Sequence, residues 1–321
     1  MTVSGAKKKE KSRHSEIPAL FVSVLFTALI FIAAVFFSDE LSRYVASGLG
    51  LSVGVIIPSV FPFLILTDVA MRYIHFERIG LLRRIFERLF HINGSALSVF
   101  VCGILCGFPL GARLAVMMYE NGKISKCECE RLMAFANNAS PGYVICAVGL
   151  AMRGSLSEGI ALYISMITAS IITGVLIGVN KNKSNIPHYI SKQNYYFSES
   201  VKSAITVCLH ISGFVTVFSI AVGLIDELVP WEIVKAFIIP FFEIGNAAIF
   251  LSDLYILPKW ATLALTSFSI SFSGLCVSAQ TLSLVDKGCD ISVRGYVGRK
   301  LLQGLIAAAL ITVFYIIKNP W

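Results

Sequence analysis

Apolar positions along this chain of 321 residues come in long unbroken runs rather than in alternation. Residues 17–37 and 159–179 carry no charge, 203–225 carry only His210, and 301–317 form a slightly shorter uncharged run. About 20 apolar residues rising 1.5 Å each cross roughly 30 Å of hydrocarbon, so these four runs predict membrane-spanning helices. Four further runs, at 45–66, 95–118, 132–152 and 260–285, are long enough but interrupted. Pro58 and Pro62 stand in IIPSVFPF, and CGFPLGAR holds Gly107, Pro109 and Gly111. NNASPG occupies 137–142, and SGLCVSAQ interrupts the last run. Proline and glycine are tolerated at membrane depth where neighbouring groups re-satisfy the backbone, so the interruptions predict helix breaks inside the protein. Residues 71–92 read differently. Arg78, Arg83, Arg84 and Arg88 interleave with Ile79, Leu82, Phe86 and Leu89 at helical spacing, which predicts an amphipathic helix on the membrane surface.

Composition narrows the class. With 56% hydrophobic and 14% charged residues the chain would expose large apolar patches in water, so the solvent is lipid. The net charge of +8 is accounted for by basic residues flanking spans, and nucleic-acid binding is not expected. Lys7, Lys8, Lys9, Lys11 and Arg13 precede a run too long for a signal peptide, which predicts a retained first helix with a cytoplasmic N-terminus. Several of the eight cysteines lie in apolar runs, and no set has zinc-site spacing, so neither metal nor cofactor is expected. There is no Walker-type phosphate loop and no GxSx nucleophile motif, which argues against an ATP-driven pump or an intramembrane protease and predicts a protein that is not an enzyme.

Placing most lysines and arginines on one side gives an all-α polytopic fold of about six full spans with two re-entrant hairpins, at CGFPLGAR and SGLCVSAQ. CGFPLGARL aligns with SGLCVSAQT, matching Gly107 with Gly274 and Arg113 with Gln280, and the two segments fall in halves of opposite topology. Paired broken segments in inverted halves point to a central site in secondary transporters. The predicted organisation is a basic N-terminus (1–16), a first span and turn (17–44), a first repeat with its following span (45–179), a polar cytoplasmic connector (180–200) and a second repeat (201–321) ending in the cytoplasm. The candidate substrate-binding residues are Gly107, Pro109, Gly111, Arg113, Asn137, Asn138, Ser140, Glu243, Asn246, Gly274, Ser278 and Gln280. Half-helix N-termini at hairpin tips suit a carboxylate, and Arg113 can hold one bidentately. The same small residues equally permit tight helix packing, and Arg113 in a shallow hairpin only reaches the interface. Glu243 is a candidate partner of Arg113 or a proton-coupling group, and is placed in a peripheral segment, 231–250. His210 reads as a packed imidazole rather than a relay.

Taken in order, IIPSVFPF, GFPLGARL, ECERLMAFANNASPGYVICAVG, FFEIGNAA, SGLCVSAQ and GRKLLQGLIAA resemble the YlbJ family of sporulation integral membrane proteins, over roughly residues 38–317. That family carries the nucleoside-recognition gate domain of concentrative nucleoside transporters. The resemblance implies a multi-pass protein of the cell membrane or outer forespore membrane that moves dipicolinate or a related small organic anion. It also leaves open a non-transporting scaffold for spore maturation, or nucleoside transport. Its implied partners are the bilayer, the anion, and a small membrane protein or a second copy. The chain departs from the family pattern at a short connector, at Ser278 where many relatives have histidine, and at ASPGY, all of which bear on the substrate.

Overall fold

The computed structural model describes residues 38–73, 79–179, 181, 197–283 and 291–318; the predicted first span at 17–37, the basic N-terminus and most of the 180–200 connector lie outside them. All regular structure among the described residues is helical. In chain order the helices are α1 (Ser38–Leu51), α2 (Ile57–Tyr73), α3 (Gly80–Phe90), α4 (Leu97–Cys106), α5 (Leu110–Glu120), α6 (Lys126–Ala136), α7 (Leu156–Gly178), α8 (Phe197–Leu228), α9 (Glu232–Phe242), α10 (Ile244–Ser252), α11 (Lys259–Phe272), α12 (Gly274–Ser283) and α13 (Val293–Lys318). Wider π-type turns occupy Ser52–Ile56, between α1 and α2, and Gly142–Met152, after α6. The first of these precedes Pro58, whose ring would otherwise meet the carbonyl one turn back. Among the described residues, five segments are long and apolar enough to cross a membrane: Ser38–Leu66, Leu156–Gly178, Phe197–Leu228, Lys259–Ser283 and Val293–Lys318. The amphipathic helix predicted near the surface is α3, which turns through 106° into α4.

Polar contacts define the two ends of the bundle. At one end Tyr44, near the start of α1, reaches Glu227 at the end of α8. There too Glu158, at the start of α7, accepts from Arg153 at 2.9 Å and Lys259 at 2.6 Å, and Lys318 lines the same recess. At the opposite end Glu130 of α6 accepts from the amide of Ser292 at 3.2 Å, and Phe90 of α3 packs on Gly174 and Gly178 of α7.

The first broken run is a hairpin. A Cβ on Gly103 would lie 3.3 Å from the Cα of Gly111, whereas eight residues of straight helix separate two positions by about 12 Å. The chain therefore reverses at Gly107–Pro109, where Gly107 takes φ 87° and the Phe108–Pro109 peptide is cis. Both glycines sit on the carbonyl of Ala136 at the end of α6, with a Cβ at Gly103 or Gly111 falling 1.9 or 2.2 Å from that oxygen.

The second hairpin is not the one expected. Ile239 packs with Ala247, and Ala236 with Leu251 and Leu254, so residues before Glu243 meet residues after it in reverse order. In one straight helix Ala236 and Leu251 would be about 22 Å apart. The reversal is thus at Glu243 in FFEIGNAA, the segment predicted to be peripheral, and Glu243 is buried. SGLCVSAQ instead interrupts a crossing. Ser273 and Gly274 take φ 77° and 60°, but the chain continues past them. Leu263 shares a recess with Ile311, Phe268 and Phe272 meet Gly304, and Thr281 meets Tyr296, an antiparallel progression along α13 that runs through the break. The alignment of Gly107 with Gly274 is accordingly replaced by a different correspondence. Each half now reads long helix, hairpin, broken helix, long helix: α1–α2, α4–α5, α6 with its π-type continuation, and α7; then α8, α9–α10, α11–α12 and α13. Three crossings separate the start of α1 from the start of α8, which inverts the second half.

Two measurements check this arrangement. Gly103→Ala should lower the detergent melting temperature, since overpacking against an immovable carbonyl costs about 1–3 kcal/mol, whereas Gly50→Ala, with open space around it, should be neutral or slightly stabilising. In oriented vesicles an impermeant thiol reagent should reach exposed Cys127 and an engineered Lys318→Cys from opposite faces. Labelling of both from one face would contradict the through-going α11–α12 segment.

Candidate functional site

Four breaks meet at the centre of the bundle. The tip of the first hairpin lies on the break after α6, with Gly107 against Ser140, and the break between α11 and α12 lies on the second tip, with Gly274 against the carbonyl of Phe242. Each glycine has φ in the left-handed region and a neighbouring backbone within 3.0 Å of where its Cβ would stand, so both requirements select glycine. Between the breaks is a cavity of about 40 Å³, room for a water or two. Phe108, Ser140, Tyr143, Glu243, Val277 and Gln280 line it, and Ile56, Val60, Ile211 and Val215 of the flanking long helices close its sides. The Tyr143 hydroxyl is buried there and makes no hydrogen bond among the described residues.

A second cavity of about 300 Å³ adjoins the first, sharing Ile211 and Gln280 with it. Pro109, Arg113, Ser203, Thr206, Val207 and His210 complete its wall. Arg113 donates to Ser203 Oγ at 3.0 Å. Its partner is therefore Ser203 rather than Glu243. The Glu243 carboxylate accepts the amide of Asn246 at 2.7 Å and its side-chain Nδ2 at 2.9 Å, capping α10 from within. The N-terminus of α5, beside Arg113, has no side-chain cap. A helix start favours an anion; at α10 the chain supplies its own, and at α5 it does not.

The predicted residues thus divide. Ser140, Glu243 and Gln280 line the central cavity; Pro109, Arg113 and Gln280 line the wider one. Gly107, Gly111 and Gly274 are close-packing positions beside them. Ser278 lines neither, its hydroxyl donating within α12 to the carbonyl of Gly274 at 3.0 Å. Asn246 also lines neither, bridging Glu243 and Ser219. Asn137 and Asn138 lie behind the tip in a buried network. Asn137 donates to Thr281 and Tyr296, and Asn138 accepts from Gln303 at 2.8 Å. Lys300, which sequence reasoning passed over, completes the network by donating to the carbonyl of Asn137 at 2.9 Å and to Gln303 Oε1 at 2.8 Å. A charge at mid-membrane costs about 2.5–3.5 kcal/mol on insertion scales, which makes Lys300 a residue with a role. The available signal was Lys300 and Gln303 three apart, on one face of a predicted span. No group of three or more His, Cys, Asp or Glu among the described residues could hold a metal ion.

No family model matches the chain, and no solved structure matches it. Among curated proteins it is similar to the sporulation integral membrane protein YlbJ of Bacillus subtilis (strain 168), with 25% identity over 348 aligned positions covering 94% of this chain and 84% of the relative. The resemblance to YlbJ-type sporulation integral membrane proteins, carried in the sequence by a handful of motifs, therefore extends along nearly the whole of this integral membrane chain.

Proposed function

We propose that this protein is a sporulation-associated transporter of a small organic anion, dipicolinate foremost, working by alternating access between its two halves. The observation that carries the reading is the convergence of four helix breaks, two from each half, on one buried cavity that adjoins a wider one bearing Arg113. Broken helices at the interface of inverted halves are where secondary transporters bind substrate. The uncapped start of α5 and the Arg113 guanidinium together favour a carboxylate, while Glu243 opposes one at the second tip. The anion accordingly docks on the first hairpin.

Arg83, Arg84, Arg88, Lys123, Lys126, Lys202 and Arg299 gather at the end of the bundle that holds α3 and the start of α8, whereas Arg43, Arg153, Lys235, Lys259 and Lys318 stand at the other. The positive-inside rule assigns the first end to the cytoplasm. The Arg113 cavity lies toward that end, so the anion loads from the cytoplasm and Lys318 emerges on the far side. This reading puts the C-terminus on the far side, where the sequence alone suggested the cytoplasm. For export from a negative compartment, membrane potential favours a dianion by about 4.6 kcal/mol per 100 mV, twice the single-charge value. In the present state the central cavity is too small for an aromatic dicarboxylate, so passage requires the tips to part.

Uptake of labelled dipicolinate into vesicles reconstituted with the protein, compared with a nucleoside, tests the assignment. Arg113→Ala should lower dipicolinate flux about 10- to 100-fold, the worth of one hydrogen-bonded charge, with unchanged folding. Flux of neither compound through intact protein would overturn transport in favour of a scaffold, and nucleoside flux alone would reassign the substrate.

A further inference from the structure

Lys300 has no exposed surface, and no carboxylate of the described residues lies within ion-pairing distance of it. Its Nζ instead meets two carbonyl oxygens, the main-chain oxygen of Asn137 where α6 ends and Gln303 Oε1, and stands 5.8 Å from the centroid of the Phe108 ring. A third oxygen of the same neighbourhood, Asn137 Oδ1, is buried and accepts no hydrogen bond from the described residues. Neutral oxygens of this kind, together with an aromatic face, are the ligands a small monovalent cation takes. The position also suits a cation, because α6 ends there and its carbonyls carry the negative end of the helix dipole. In transporters with discontinuous helices, such unwound carbonyls and half-helix ends coordinate sodium or a proton.

We propose that the Lys300 ammonium is a tethered substitute for a bound monovalent cation, which neutralises the break after α6 and makes sodium unnecessary there. Lys300 comes from the second half and one of its two oxygen ligands, the carbonyl of Asn137, from the first, so the tethered charge also joins the two halves behind the first hairpin tip. Phe108 links the ammonium to that tip, since the same ring lines the central cavity. As a statement about ion coupling the inference rests on the transport reading; as a statement about what holds the break together it does not.

The test is melting of the purified full-length protein in detergent, in sodium chloride, methylammonium chloride and choline chloride at equal ionic strength. The wild type should melt alike in all three. Lys300→Ala should melt several degrees lower in choline and regain at least half of the loss in methylammonium or sodium, as the vacated oxygens take up a free cation. Lys300→Gln should be destabilised and respond to none, because its amide fills the site without a charge. Lys300→Ser leaves the same vacancy if the alanine variant cannot be purified. Specific stabilisation of the wild type by sodium over choline would overturn the proposal, as would a Lys300→Ala protein indifferent to all three salts. Neither result would touch the transport reading, which stands or falls on flux.

Discussion

Away from water every backbone donor and acceptor freed by a broken helix must find a partner in the protein, and this constraint organises the whole molecule. Four breaks at similar depth would be untenable if any faced lipid. They are instead stacked on one another: the first hairpin on the break after α6, the second on the break between α11 and α12. The close approach needs positions without side chains, which is why Gly103 and Gly111 both rest on the single carbonyl of Ala136. The long helices α1–α2, α7, α8 and α13 then act as the wall that keeps lipid from the breaks.

The two halves share an order of elements but not an electrostatic plan. At the second tip Glu243 supplies the anion that the start of α10 favours, and Asn246 ties that carboxylate to Ser219 of α8. At the first tip the start of α5 has no such cap, and the cation at the end of α6 is Lys300 from the other half. One tip is therefore self-neutralised and tied to a long helix. The other is left electropositive beside Arg113. Under the proposed transport reading, an inverted pair that differs in this way binds an anion on one side only, which gives a direction to what would otherwise be a symmetric device.

Much of this was legible in the sequence. Gly107, Pro109 and Gly111 within five positions marked the first hairpin, and NNASPG marked the break after α6. The second half was misassigned because a hairpin tip and a kink in a crossing leave the same trace of small residues. Ser273 and Gly274 looked like a tip, while Glu243, a lone carboxylate after an apolar run, looked interfacial. What separates the two cases is which residues meet across space, Ala236 with Leu251 or Phe272 with Gly304, and that is a tertiary fact. Lys300 was hidden for a related reason. Arg299 and Lys300 precede the uncharged run 301–317 and resemble a flank at the membrane surface, yet α13 begins at Val293 and carries Lys300 into the interior.

In the proposed transport cycle, the partition between the two cavities is where motion begins. Ile211 belongs to α8, a helix of 32 residues packed along α1, and is held by that length. Gln280 is held by much less. Its Nε2 donates to the sulfur of Cys276 at 3.3 Å, and a thiol is a weak acceptor, so the amide can exchange that bond for a carboxylate oxygen with a net gain. An anion held at Arg113 is thus offered a better partner deeper in the protein. Gln280 belongs to α12, whose first residue, Gly274, lies against the carbonyl of Phe242 at the second tip. A weak hydrogen bond to sulfur thus lies on the divider between the cavities, where the proposed cycle would convert binding energy into separation of the tips.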